Sequence, residues 1–238
     1  MVARLLADGS MDESFGPAGL QRPSSPNSGE GLAATSDGQI LVAGSNLGTQ
    51  VFATGRLTVI HLGADGAPNR SFGHPRFAFA NFPFSTAAEL AVDSKGRIVV
   101  AGTGFNGRET RSAIGVVRLL ADGRPDRAFG TTGIATLAPG PGASNSTTAL
   151  ALSRDGAAVV TANRQTDTAS RALVAQVSSN GVPDRRFGVG GQRTLAFPGL
   201  WDEANDVAVL GDGSVVVAGA TGRSRWRTSI ALARLTPS

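Results

Sequence analysis

One phrase recurs four times along the chain and sets the limits on what it can fold into. Its clearest copy is Leu119-Leu-Ala-Asp-Gly-Arg-Pro-Asp-Arg-Ala-Phe-Gly130, and the others are Leu5–Gly16, Leu62–Gly73 and Val177–Gly188. Gly9, Gly66, Gly123 and Gly181 stand 57, 57 and 58 residues apart, and Phe15, Phe72, Phe129 and Phe187 keep the same steps. A fixed period of this size marks an array of one supersecondary unit that buries its apolar face against its neighbours. The four copies also serve as an internal alignment. Positions alike in every copy serve the unit, and positions that differ are free for other work.

The phrase reads as a structural corner. An apolar run of strand type, Ile114-Gly-Val-Val-Arg-Leu-Leu120, stops at Asp122-Gly123. Asp-Gly is turn chemistry, because glycine takes φ > 0 freely and aspartate bonds its own backbone two residues on. Asp8-Gly9 and Asp65-Gly66 repeat it, whereas Asn180-Gly181 replaces the aspartate. Pro125, like Pro68 and Pro183, fixes φ in the bend. Asp126, matched by Asp12, Asn69 and Asp184, is placed to accept backbone N–H groups. The phenylalanine is the one large apolar residue in a polar turn, so Phe15, Phe72, Phe129 and Phe187 are expected to plug the core beneath. A calcium loop needs more oxygen ligands at alternating positions and a closing glutamate, and the phrase has no such glutamate.

Asp-Gly-x-x-Asp-x-x-Phe-Gly, followed by a strand with Gly-x-Ile-Val-Val-Ala-Gly, resembles the bacterial delta-60 repeat. The resemblance implies β-propeller blades of unknown function in secreted or cell-surface proteins, and it brings no catalytic residues. Copy four departs furthest, with Asn180 in the turn and Gln176 where Arg4 and Arg118 stand.

Four short strands fit each period. In the second they are Arg76–Ala80, Glu89–Asp93, Arg97–Ala101 and Ala113–Leu120, with the Ser94-Lys95-Gly96 turn between the second and third. The third-strand runs, Ile40-Leu-Val-Ala, Ile98-Val-Val-Ala, Ala158-Val-Val-Thr and Val215-Val-Val-Ala, are apolar without alternation. That pattern requires burial on both faces, as stacked propeller blades provide and a two-layer sandwich does not. No long segment has helical period. The fold class is therefore all-β, a β-propeller of four repeats of 57–60 residues with four antiparallel strands per blade. Residues 1–238 are expected to form one repeat domain, four blades plus one extra terminal strand, or a length of a longer array. The chain begins and ends on the same strand type, and Met1–Asp8 aligns as a repeat strand rather than as a signal peptide.

Composition removes several functions. With no cysteine there are no disulfides, thiolate metal sites or cysteine nucleophiles. No apolar run is long enough for a membrane helix. A sequence pI near 11.0 with a formal net charge of only +4 reflects scarce titrating groups rather than a basic face, so nucleic acid is not an expected partner. Gly102-Thr-Gly-Phe-Asn-Gly107 matches a dinucleotide fingerprint, but Arg108-Glu-Thr-Arg-Ser leads into another strand instead of a helix. His61 and His74 are the only histidines and lack ligand spacing, so no metal or other cofactor is expected.

Two loop sets vary between copies and fall at one end of an up-down blade. They are Pro23–Gly29, Asn81–Thr86, Pro139–Ser146 and Pro198–Glu203, and then Ser45–Arg56, Thr103–Arg111, Arg164–Arg171 and Thr221–Arg227. This individual rim gathers Arg108, Arg164, Arg223, Arg225 and Arg227 with Trp226 and Trp201, a composition suited to gripping an acidic glycan or another protein. The sequence reading is thus a non-catalytic binding or scaffolding module, with no catalytic residue assigned. The alternatives are a glycan-acting hydrolase using Asp202 and Glu203 beside Trp201, and a purely architectural spacer.

Overall fold

The computed structural model describes residues 1–23, 28–46, 56–72, 76–77, 84–105, 112–138, 143–166 and 168–236. Its regular structure is all strand apart from one 3-10 turn at Pro17–Gly19. A pair, β1 (Val2–Ala3) and β2 (Leu20–Gln21), comes first. Three four-stranded sheets follow. The first is β3 (Ser28–Ala34), β4 (Ile40–Asn46), β5 (Arg56–Leu62) and β6 (Arg76–Phe77). The second is β7 (Phe84–Val92), β8 (Ile98–Phe105), β9 (Ser112–Leu119) and β10 (Ile134–Leu137). The third is β11 (Ser144–Leu152), β12 (Ala158–Gln165), β13 (Ser170–Val177) and β14 (Gln192–Thr194). The chain closes on β15 (Trp201–Val209), β16 (Val215–Ser224) and β17 (Arg227–Leu235). Each sheet is an antiparallel meander, and the arrangement is that of β-propeller blades.

The repeat and the blade are out of phase. The strand after each Phe-Gly corner does not open a blade. It returns as the outermost strand of the blade before it, as Thr58↔Arg76 and Ile134↔Val117 show. The four repeats are consequently shared among three complete blades, an initial pair and a final triplet. The corner phrase is therefore a connection inside a blade, and both variable loop sets still leave from the opposite end.

Burial confirms the reading of the apolar runs. The core is divided among four joints between successive sheets. Val2, Phe15, Val42 and Ile60 fill the first, and Leu57, Phe72, Leu90 and Val100 the second. Ile114, Phe129, Val160 and Leu173 fill the third, and Val159, Val174, Val207 and Val217 the fourth. The strands β8 and β9 are buried on both faces from Ile98 to Gly104 and along all of β9.

The corner phrase locks the first three joints. Phe72 lies under the Asp-Gly turn of the next blade, so closely that a Cβ on Gly123 (φ +85°) would fall 2.6 Å from the Phe72 carbonyl oxygen and 3.0 Å from its ring. Gly66 sits in the same way over Phe15, and Gly181 over the Phe129–Gly130 backbone. Above Phe129, Arg118 lies 4.5 Å from the ring centre. Its Nε donates to Asp126 at 2.8 Å and its Nη1 donates to the Ser179 carbonyl in the next blade. Arg4 repeats this over Phe15, with Asp12 and the Ala64 carbonyl. In copy two the pair changes together: His61 meets Phe72 edge-on at 5.1 Å and faces Asn69 at 3.3 Å. His61 thus belongs to the lock, and burial holds its pKa below the ordinary histidine value. His74 lies outside the described residues.

The turn aspartates behave as their spacing predicts. Asp122 accepts the Arg124 N–H at 3.0 Å, and Asp126 accepts the Ala128 N–H at 3.1 Å. In copy four, Ser178 takes over, accepting the Val182 N–H and donating to Asn180.

At the other end of the second, third and fourth joints a second tie recurs. Ser45, Thr103 and Asn163 occupy one register position on successive second strands. Each accepts an inner-strand N–H of the next blade, from Ala87 at 3.2 Å, Thr147 at 2.9 Å and Ala204 at 2.8 Å. The inner strands also share a β-bulge, at Gly29/Gly31, Ala87/Glu89, Thr147/Ala149 and Ala204/Asp206, and so re-aim side chains at the same level in every blade.

Phe129, 1% exposed, and Phe187, only half-buried with no following Asp-Gly turn above it, give a direct comparison. Phe129→Ala is expected to cost about 3–5 kcal/mol, and Phe187→Ala less than half of that, by denaturant unfolding. Phe15, equally buried at 1%, should behave like Phe129 despite its place in the first repeat. A pH series tests the turns. Hydrogen bonds hold several carboxylates below their ordinary range: Asp8 by the Ser10 hydroxyl and N–H, Asp37 by the Thr35 hydroxyl, and Asp122 and Asp212 chiefly by the Arg124 and Ser214 N–H groups. Since folding lowers these values, their stabilisation is complete above the unfolded value of about 3.9. It is lost as pH falls below that through the folded values, so the unfolding midpoint should drop from about pH 4 downward.

Candidate functional site

The individual rim is where the strands leave the repeat pattern. The first buried register position of the inner strands is Ser85 in the second blade, Asn145 in the third and Asp202 in the final triplet, all 0% exposed. In the first two, the position ties neighbouring blades: Ser85 Oγ accepts the Leu57 N–H at 3.0 Å, and the Ser112 hydroxyl donates to the Asn145 carbonyl. At the third, a carboxylate stands where a hydroxyl or an amide suffices for the scaffold.

Asp202 is placed by its surroundings. It is the second residue of β15, whose first residue, Trp201, makes a single parallel bridge to Ser170 at the start of β13. Its Oδ1 accepts from the Thr221 hydroxyl at 2.7 Å. Its Oδ2 has no hydrogen-bond donor among the described residues and lies 3.6 Å from Arg171 Nη1. Arg171 is held in turn by the Gly199 carbonyl at 2.8 Å, and a Cβ on Gly199 would fall 2.6 Å from Asp202 Oδ1, so only glycine fits there. Ser170 Oγ and Asn145 Nδ2 are further buried polar atoms without partners among the described residues. A buried carboxylate is costly unless its charge is answered. Here the answer is one hydroxyl and one guanidinium beyond hydrogen-bond distance.

Glu203, the next residue, projects to the opposite side of the strand and is half-buried, as is Trp201. Further inner-strand carboxylates are Glu30, Glu89 and Asp206. The last two each accept the N–H of the following residue at the bulge, at 3.0 Å for Glu89 and 2.7 Å for Asp206.

The arginines proposed from sequence do not form one cluster. Arg225 and Trp226 make the two-residue turn between β16 and β17, where the Arg225 guanidinium stacks 4.9 Å from the ring centre of an indole that is 81% exposed. Arg223 and Arg227 flank this turn and are exposed. Arg164 is half-buried elsewhere, on β12, with Nε donating to Asn145 Oδ1 at 3.3 Å and Nη2 to Gln192 Oε1 at 2.8 Å. Arg108 lies outside the described residues. Gln192 and Arg193, beside Arg164, were not singled out in the sequence. Their signal was there to read, as a departure from Ile134 and Ala135 at the same register of the preceding blade. Among the described residues, no group of three or more His, Asp or Glu side chains gathers as a metal cage.

A family described as a β-propeller domain of unknown function (DUF5122) matches residues 96–129 and 210–238, the second and third strands of two blades with their turns. No curated protein matches the chain in sequence. Among solved structures, a protein of unknown function from Dyadobacter fermentans is similar at a TM-score of 0.56 and 13% identity, over 87% of this chain and 59% of that one. An endo-arabinase from Bacteroides thetaiotaomicron is similar at 0.48 and 14% identity, over 87% of this chain and 74% of that one. A GH43 β-1,3-galactosidase gives 0.48 and 10%, over 99% of this chain and 48% of that one. These likenesses are of fold. The sequence expectation of a non-catalytic, non-enzymatic module finds no support in this set of neighbours, in which glycoside hydrolases recur.

The turn at Arg225-Trp226 provides a control for the rim. Neither residue has a positive φ, so serine is tolerated at both positions. Changing both to serine should move stability by no more than about 0.5 kcal/mol in thermal unfolding. A larger loss would make Trp226 a packing residue.

Proposed function

We propose that this chain is the propeller of a glycan-acting hydrolase, with its chemistry at Trp201-Asp202-Glu203. The observation that carries the reading is the division of labour in that run. One carboxylate is fully buried against Arg171 and its neighbour is only half-buried, both at the head of one inner strand. Glycoside hydrolysis uses two carboxyl groups, one giving a proton to the leaving oxygen and the other stabilising or attacking the sugar carbon. Glu203 is the accessible acid. Asp202 cannot touch a sugar from its buried place and acts as a positioning residue, fixing Arg171. Trp201 offers an indole face for a sugar ring. The second reacting carboxylate is drawn from the inner-strand row of Glu30, Glu89 and Asp206. We read the repeat itself as of the delta-60 type, with a secreted or surface setting.

Release of reducing ends from a panel of neutral and acidic oligosaccharides tests this. Glu203→Gln should lower kcat by about 100-fold or more with KM little changed, as expected of a general acid. Asp202→Asn should lower activity less, and it should alter the pH profile by freeing Arg171. Full activity in Glu203→Gln, or no turnover of any glycan by the wild-type chain, would contradict the reading.

A further inference from the structure

A cleft of about 650 Å³ opens at the joint between the second and third blades, apart from Asp202. Arg164, Phe187, Gln192, Arg193, Thr194 and Ala138 line it, and among the described residues no acidic side chain does. Two observations make it more than a surface hollow. The first is the state of Arg164. This half-buried guanidinium is answered only by the neutral oxygens of Asn145 and Gln192, with no carboxylate at ion-pair distance among the described residues. Among the described residues its Nη1 has no acceptor. Burial pulls its pKa below the ordinary arginine value, a sign that its charge is uncompensated. The second is its singularity within the repeat. At the same register of the blade before, Gly104 replaces Arg164, Ile134 replaces Gln192 and Ala135 replaces Arg193. The scaffold is built without these groups, so the third blade bears their desolvation cost for another reason. Gln192 also fixes the arrangement, since its Nε2 donates to the Ala138 carbonyl across the joint at 3.1 Å while its Oε1 holds Arg164.

An oriented guanidinium with a free pair of N–H donors, a second arginine at the mouth and a wall containing Phe187 fit a carboxylate carried on a sugar ring. We propose that this cleft is a subsite for a uronate residue of an acidic polysaccharide, its carboxylate seated on Arg164. The proposal rests on the glycan-acting reading for the polymer that bears the carboxylate, and on Arg164 alone for the charge.

Calorimetric titration of the full chain with a galacturonate tetrasaccharide, its methyl ester and free galacturonate tests it. The tetrasaccharide should bind, with affinity falling as salt rises above about 0.15 M, and the ester should bind about tenfold more weakly or worse. Arg164→Gln should lose about tenfold in affinity and Arg164→Lys should recover part of it. Arg193→Glu, at an exposed position, should lose as much with an unchanged unfolding temperature, so the test stands even if Arg164→Gln folds poorly. Equal binding of acid and ester, no binding of the tetrasaccharide, or wild-type affinity in Arg193→Glu and Arg164→Gln would overturn the subsite. Free galacturonate binding as tightly as the tetrasaccharide would overturn the assignment to a polymer. Turnover separates the two readings. Uronate binding through Arg164 without hydrolysis leaves the subsite standing and removes the hydrolase, while hydrolysis with no preference for acidic chains does the reverse.

Discussion

The placement of a phenylalanine beneath the Asp-Gly turn of the following blade is the contact on which the rest of this structure depends. A single blade has no core of its own. Its apolar strands are buried only by the blade on either side, and the chain accordingly holds four small cores rather than one. Phe15, Phe72 and Phe129 close three of these joints from the turn end, and the arginine or histidine above each ring ties the plug to its own strand. Ser45, Thr103 and Asn163 tie the second, third and fourth joints from the other end. The second and third joints are thus fastened at both ends, which leaves the loops of the individual rim free to differ.

Much of this was legible in the sequence because the repeat exposes its own constraints. Unbroken apolar runs such as Ile98-Val-Val-Ala revealed burial on both faces, and the period located every turn. The blade boundary was not legible. Assigning the strand after Phe-Gly to the preceding blade depends on pairing such as Ile134↔Val117, and both assignments share one local pattern. The exchange of Arg118 and Asp126 for His61 and Asn69 was visible as two separate substitutions. It becomes one only when the side chains are seen to meet.

The site was half legible. Trp201, Asp202 and Glu203 stood out as adjacent acids beside an indole, yet strand geometry alone separates the buried carboxylate from the half-buried one. The arginine count misled in another way, since Arg225 and Arg164 share a rim in sequence order but lie on different blades in different environments. The informative signal was departure from the repeat at positions the scaffold does not need: Asp202 against Ser85 and Asn145, and Arg164 against Gly104. Those departures mark where this chain spends stability on something other than folding.

Ligand contacts are expected to fall on these departures and not on the shared corners. A crystal structure of Glu203→Gln with an acidic oligosaccharide bound would test it most directly. The expected result is sugar at Trp201 and Glu203 or a carboxylate on Arg164 within hydrogen-bond distance, with the Asp-Gly turns untouched. Sugar seated on the uniform rim, against Asp122, Gly123 and their repeats, would contradict it.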